Sequence, residues 1–177
     1  PIYAENREHR EIVDHERKKE FQFMLKLENI KKSYDGTTVL DGINLDIQDG
    51  EIVSILGPSG CGKTTLLNLI LGITEADSGK IIYNGEDMTN IPMEKRGFNI
   101  VFQDYALFPN LNVYKNITYG LKNKPNISTK EEVEDLIDLL GLREHLTKKI
   151  EQLSGGQKQR VALARTMVMK PKILLLD

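Results

Sequence analysis

Gly57-Pro58-Ser59-Gly60-Cys61-Gly62-Lys63-Thr64 places its glycines, a lysine and a hydroxyl in the order G-x-x-x-x-G-K-[ST]. Glycines let the backbone curl until several N–H groups point inward at one anion. Lys63 adds a mobile cation for the β- and γ-phosphates. The Thr64 hydroxyl can ligate Mg²⁺, and Thr65 follows it into the helix. The chemistry is that of a cradle for a nucleoside triphosphate. Cys61 stands inside the loop. It can be read as a small residue tolerated there, yet a thiol beside a helix N-terminus also reacts readily.

Leu153-Ser154-Gly155-Gly156-Gln157 offers a second site of the same kind. Ser154 is placed to cap a helix, and the adjacent glycine N–H groups can meet an anion. One chain would then carry two anion-binding helix starts.

These sites need particular elements to hold them. Glu51–Leu56 (EIVSIL) predicts a compact apolar strand feeding the loop, and Thr64–Leu71 a helix stopped at Gly72. Leu25–Ile47 is β-like, with a turn at Asp35-Gly36 and a second turn signal at Asp41-Gly42. Ile81–Tyr83 before Asn84-Gly85 predicts a strand and turn, and Asn99–Phe102 a further short strand. Lys130–Leu140 is helical in spacing, with Val133, Leu136, Ile137 and Leu140 on one face. Gly156–Met169 predicts another helix, ended before Pro171, and Ile173–Leu176 a buried strand that carries Asp177 at its C-terminal end.

Composition excludes some partners. A formal net charge of −2 and the lack of basic clusters give no general attraction for nucleic acid. A single cysteine, Cys61, rules out an internal disulfide and fits a reducing cytosol. No run approaches the roughly 20 apolar residues that span a bilayer, so membrane association is expected through partners. Residues Glu5–Glu20, with His9 and His15, read as a solvated helix or disordered tail rather than a metal site.

Together these residues resemble the ABC ATPase family from Leu25 to Asp177. Gly57–Thr64 matches its Walker A loop, Leu153–Gln157 its signature, and Ile173–Asp177 the start of Walker B. The resemblance implies an α/β P-loop NTPase: a RecA-like parallel sheet core, an N-terminal antiparallel β subdomain, and a helical signature subdomain over about residues 104–160. It implies ATP and Mg²⁺ as ligands. Gln103 matches the Q-loop glutamine, which contacts Mg²⁺ and the attacking water, and Asp177 the carboxylate facing the metal. Tyr34 falls where the family stacks an aromatic on adenine. Lys63, Gln103 and Asp177 are thus the expected catalytic set, with Thr64, Gln103 and Asp177 around the metal. A head-to-tail dimer is implied as well, each ATP lying between one domain's Walker A loop and the other's Ser154-Gly155-Gly156-Gln157.

Phe102–Pro109 (FQDYALFP) is similar to importer ATPases of the polyamine, sulfate, iron(III) and sugar groups. The expected partners are permease subunits and a solute-binding protein, and the expected location is the inner face of the cell membrane. Tyr105, Leu107 and Phe108 read equally as a docking surface for a permease helix or as subdomain core. A non-transport ABC ATPase of the translation-factor type is the alternative, as is a fragment that binds ATP without activity.

Pro1 in place of an initiator Met, a domain-like start at Met24 and an end in mid-strand are read as a fragment, with residues 1–23 a non-native or disordered tail. The family's catalytic glutamate would follow Asp177, and its switch histidine lies further on. His145, ahead of the signature, cannot replace the latter. Residues 1–177 alone are therefore expected to bind ATP weakly and hydrolyse it very slowly. Steady-state turnover at ordinary enzyme rates, of about 1–1000 per second, would contradict this.

Overall fold

The computed structural model describes residues 24–177, so the expected tail with His9 and His15 lies outside the described residues. The chain divides into two compact units, one up to Pro92 and one from Met93 to Asp177.

In the first unit, Leu25–Tyr34 (β1) and Thr37–Ile47 (β2) form an antiparallel hairpin. Asp35 and Gly36 turn the chain with φ of 48° and 79°, the left-handed pair that suits the twist of a two-residue hairpin. Ser78–Tyr83 (β3) pairs with the other edge of β1, and Asn84-Gly85, at φ of 49° and 83°, leads into Glu86–Asp87 (β4). The sheet order is β2-β1-β3-β4, antiparallel throughout. Leu25, Leu27 and Ile30 of β1 and Ile81 of β3 are buried. Lys63–Leu71 (α1) adds Leu66, Leu67, Leu69, Ile70 and Leu71 to the core. It ends at Gly72, whose left-handed backbone lets its N–H reach the carbonyls of Asn68 and Leu69.

Two expectations need correction here. Asp41-Gly42 is not a turn. Gly42, at φ 71°, sits within β2 where the register to β1 slips, so the positive φ makes a bulge while the strand continues. Glu51–Leu56 is not a strand: it pairs with no described strand, and Ile52 and Leu56 are 94% and 90% exposed. An apolar run becomes a buried parallel strand only where neighbours complete its ladder and cover its faces.

In the second unit, Met93–Arg96 (α2) precedes Phe98–Val101 (β5), which starts one residue earlier than the spacing predicts. Val113–Ile117 (α3), Lys130–Leu139 (α4) and Gly155–Met167 (α5) follow, then Ile173–Leu176 (β6). Thr129 and Glu132 close a reciprocal capping box on α4. The expected apolar face of α4 is present: Val133 and Ile137 are buried in a cluster with Val113, Ile117, Leu142, Val161 and Ala164, and Leu136 and Leu140 pack against it. β5 and β6 are parallel, with Phe98 opposite Ile173 and Val101 opposite Leu176. β6 is not the buried strand expected: it pairs with β5 alone among the described strands, and only Ile173 is buried while Leu176 is 66% exposed.

Burial distinguishes neighbours on α4. Ile137 is fully buried and Leu139 is 78% exposed. Ile137→Ala is expected to lower unfolding free energy by about 2–5 kcal/mol. Leu139→Ala should stay within about 0.5 kcal/mol. Denaturant midpoints of the two variants test the assigned face.

Candidate functional site

The phosphate-type loop runs from Gly57 into α1. Gly62 stands at the N-cap with φ 94° and no side chain to cap the helix, and the first turn holds no acidic residue. Neither a cap side chain nor a carboxylate of the first turn therefore competes with an anion for this end. Gly62 is also a packing requirement. A Cβ there would lie 2.9 Å from Leu40 Cδ2 and 3.0 Å from Val39 Cγ1, so β2 sets how close the helix start can sit. Lys63 Nζ folds back over the loop and donates to the carbonyls of Gly57 (2.8 Å) and Pro58 (2.7 Å). Cys61 Sγ lies 3.6 Å from the same ammonium and would be 2.6 Å from a Cβ on Gly57. The thiol thus occupies the space that glycine leaves open.

Tyr34 ends β1 and is 45% exposed. Lys32 Nζ stands 5.2 Å from the ring centroid and is tied to Asp77 at 2.9 Å. The Lys32 ammonium, with help from the Ser33 N–H, holds the Asp77 carboxyl below the usual carboxylate range. Tyr34 lies opposite Thr37, two residues before the Val39 that backs Gly62. A single hairpin therefore carries the exposed ring and supports the loop.

In the second unit the ladder brings Gln103 and Asp177 to one edge. Val101 pairs with Leu176, and Asp177 N–H donates to the Val101 carbonyl at 3.0 Å. Both residues thus emerge just beyond the carboxyl ends of adjacent parallel strands, the usual ligand side of an α/β sheet. Gln103 sits in a tight turn closed by Tyr105 N–H on the Phe102 carbonyl.

The segment after Gln103 is held from two helices. Tyr105 and Ala106 have φ of 64° and 42°, a conformation costly for residues with a Cβ. Arg165 of α5 donates to both their carbonyls, at 3.1 and 2.7 Å, and its guanidinium lies over the Phe108 ring. Asn116 of α3, fully buried, accepts from Phe108 N–H and donates to the carbonyls of Phe108, Leu111 and Asn112. Leu107 packs on the core, while Phe108 remains 37% exposed against Tyr119.

Ser154 caps α5 as expected. Its Oγ accepts from Gln157 N–H, and Gln157 Oε1 accepts from Ser154 N–H at 2.8 Å. A Cβ on Gly155 would meet nothing within 4 Å, and one on Gly156 only the tip of Arg160. The fold does not require glycine at either position. The structure thus places Tyr34 and the Gly57–Thr65 loop in one unit, and Gln103, Ser154–Gln157 and Asp177 in the other. Among the described residues no group of three or more His, Cys, Asp or Glu side chains could hold a metal by itself.

Residues 40–177 match the protein family described as ABC transporter. The chain belongs to that family. It is 51% identical over 156 residues to the spermidine/putrescine import ATP-binding protein PotA of Haemophilus influenzae, covering 87% of this chain and 42% of that protein. The PotA of Spiroplasma citri is 54% identical over 158 residues, covering 87% and 45%. Among solved structures, cbiO1 from Clostridium perfringens, part of the ABC transporter complex cbiONQ, superposes with a TM-score of 0.76. Its sequence identity is 35%, with 88% of this chain and 65% of that one covered. This ABC chain has the α/β P-loop NTPase fold, and it spans less than half the length of the two curated relatives.

Sequence reasoning passed over Asn116, Arg165 and the contact between His145 and Gln157. For Asn116 a signal existed: a polar residue on the same helical face as Val113 and Ile117 is out of place unless it is hydrogen-bonded. The position of Cys61 leads to a direct test. An alkyl adduct would displace the Lys63 ammonium from the loop, so alkylation of Cys61 is expected to block nucleotide binding, and ATP to protect the thiol. Equal labelling rates with and without ATP, read by mass spectrometry, would contradict this.

Proposed function

We propose that the chain is the nucleotide-binding part of an ABC importer, coupling ATP binding and hydrolysis to uptake of a small solute. The observation that carries this reading is the pair of glycine-bearing helix starts, at Gly62 and at Gly155-Gly156, in a chain about half identical to importer ATPases. Gly155 and Gly156 support a two-domain arrangement. Glycines that the fold does not need suit close approach by another molecule, here the nucleotide held by a second copy or a homologous domain.

Within that reading the roles follow from donor chemistry. The Gly57–Thr65 backbone cradles phosphates, and Lys63 exchanges two carbonyl partners for phosphate oxygens of greater negative charge. Tyr34 offers its exposed face to the base, a contact that tolerates any purine. The Thr64 hydroxyl, Gln103 carbonyl and Asp177 carboxylate are each hard oxygen donors of the kind Mg²⁺ takes. When bound, it would neutralise charge developing on the phosphates. Gln103 would also orient the attacking water.

The helical subdomain, about residues 104–160, is the surface proposed to meet the permease, with Phe108 and Tyr119 exposed on it. A solute-binding protein and a place on the inner face of the cell membrane belong to the same proposal. No helix among the described residues is long and apolar enough to cross a membrane, so contact with the bilayer would run through permease subunits. The names of the relatives point to polyamines as the solute class.

Uptake of labelled spermidine tests this in cells lacking the gene. The full-length protein is expected to restore uptake, and Lys63→Ala to reduce it at least about tenfold, the loss of roughly one charged hydrogen bond. Normal spermidine uptake in the gene's absence, with sulfate or sugar uptake lost, would move the solute class and keep the importer. No uptake defect for any solute would overturn it.

A further inference from the structure

The amide of Gln157 makes two side-chain contacts that together fix its orientation. Its Oε1 accepts from Ser154 N–H at 2.8 Å, so its Nε2 is the group facing His145 Nε2 at 3.0 Å. An NH₂ group can bond there only to a lone pair. The imidazole must therefore be the neutral tautomer with its proton on Nδ1. That Nδ1 is buried and has no hydrogen-bond partner. The reverse arrangement, with the proton on Nε2 and the amide turned over, would give the ring an acceptor in Gln157 Oε1. It would also set the NH₂ against Ser154 N–H, donor to donor, and open the capping box. The ring thus leaves a buried N–H unpaired in the tautomer that keeps the N-cap intact.

We propose that His145 is a positioning residue for the nucleotide-binding face of α5. By accepting from Gln157 Nε2 it locks Gln157 Oε1 onto Ser154 N–H. The Ser154 hydroxyl, which accepts from Gln157 N–H, then keeps its own proton for a phosphate oxygen arriving over Gly155 and Gly156. The inference rests on the reading that this segment meets a nucleotide held by a second domain. His145 itself touches no nucleotide. It acts through Gln157, from the 3₁₀ turn Arg143–His145 ahead of the helix.

Three forms of the full-length protein separate the possibilities: wild type, His145→Phe and His145→Gln. Phenylalanine keeps the ring but cannot accept, whereas glutamine can place a carbonyl where Nε2 stood. The readout is the concentration of a non-hydrolysable ATP analogue giving half-maximal dimer, measured by light scattering. His145→Phe is expected to raise it about tenfold, the effect of losing roughly one hydrogen bond, and His145→Gln to return it to within about twofold. The ¹⁵N shifts of the wild-type imidazole, which need no variant, are expected to show the proton on Nδ1. A proton on Nε2, a His145→Phe protein that dimerises like wild type, or a His145→Gln protein as weak as His145→Phe would each overturn the role of His145 alone. A wild-type protein that never dimerises with nucleotide would overturn the two-domain reading, and His145 with it.

Discussion

A backbone anion site works only if its N–H groups are not already satisfied by the protein's own acceptors. Helix starts ordinarily recruit a serine, threonine or aspartate to do that. At α1 the chain places Gly62 there instead, which has nothing to offer, and leaves the first turn without a carboxylate. Much of the first unit follows from that choice. Gly62 must lie flush on Val39 and Leu40, so the start of α1 depends on the β1–β2 hairpin for its position. The same hairpin ends β1 at Tyr34, so the support for the phosphates and the platform for a base are parts of one element.

The second unit treats its helix start differently. Ser154 and Gln157 satisfy each other's backbone N–H groups in a closed box, and only Gly155 and Gly156 face open space. Its other exposed loop is held in an unfavourable backbone conformation. Tyr105 and Ala106 stay left-handed because Arg165 takes both their carbonyls, with Asn116 fixing Phe108 beside them. Arg165 lies on the helix that Ser154 caps. The loop after Gln103 and the glycine pair are therefore tied to one rigid rod.

Local chemistry explains which parts were legible in the sequence. Asp35-Gly36 and Asn84-Gly85 announced hairpins because both residues of each pair accept positive φ. Gly72 announced the end of α1 for the same reason, and the spacing of Val133 and Ile137 gave the buried face of α4. The cap at Ser154 and the strand that leads to Asp177 were legible because each is set by neighbours in sequence. Asp41-Gly42 misled because a positive φ is shared by turns and bulges, and only the partner strand decides between them. Glu51–Leu56 misled because apolarity states a preference for burial without supplying a neighbour. The contacts of Arg165 and His145 could not be read, since their partners lie 59 and 12 positions away.

The bulge at Gly42 also bears on how the molecule keeps to itself in a crowded solution. Among the described strands β2 is an outer one, and its 11 residues offer a long row of backbone groups to any extended chain that drifts past. The bulge interrupts that row near its middle. Asn44 folds across it, its Nδ2 on the Gly42 carbonyl and its Oδ1 receiving Asn29 N–H, and Asp41 within the bulge is tied to Lys31 of β1. A foreign strand would find no continuous register to copy. The irregularity that disguised itself as a turn makes the sheet a poor template for aggregation.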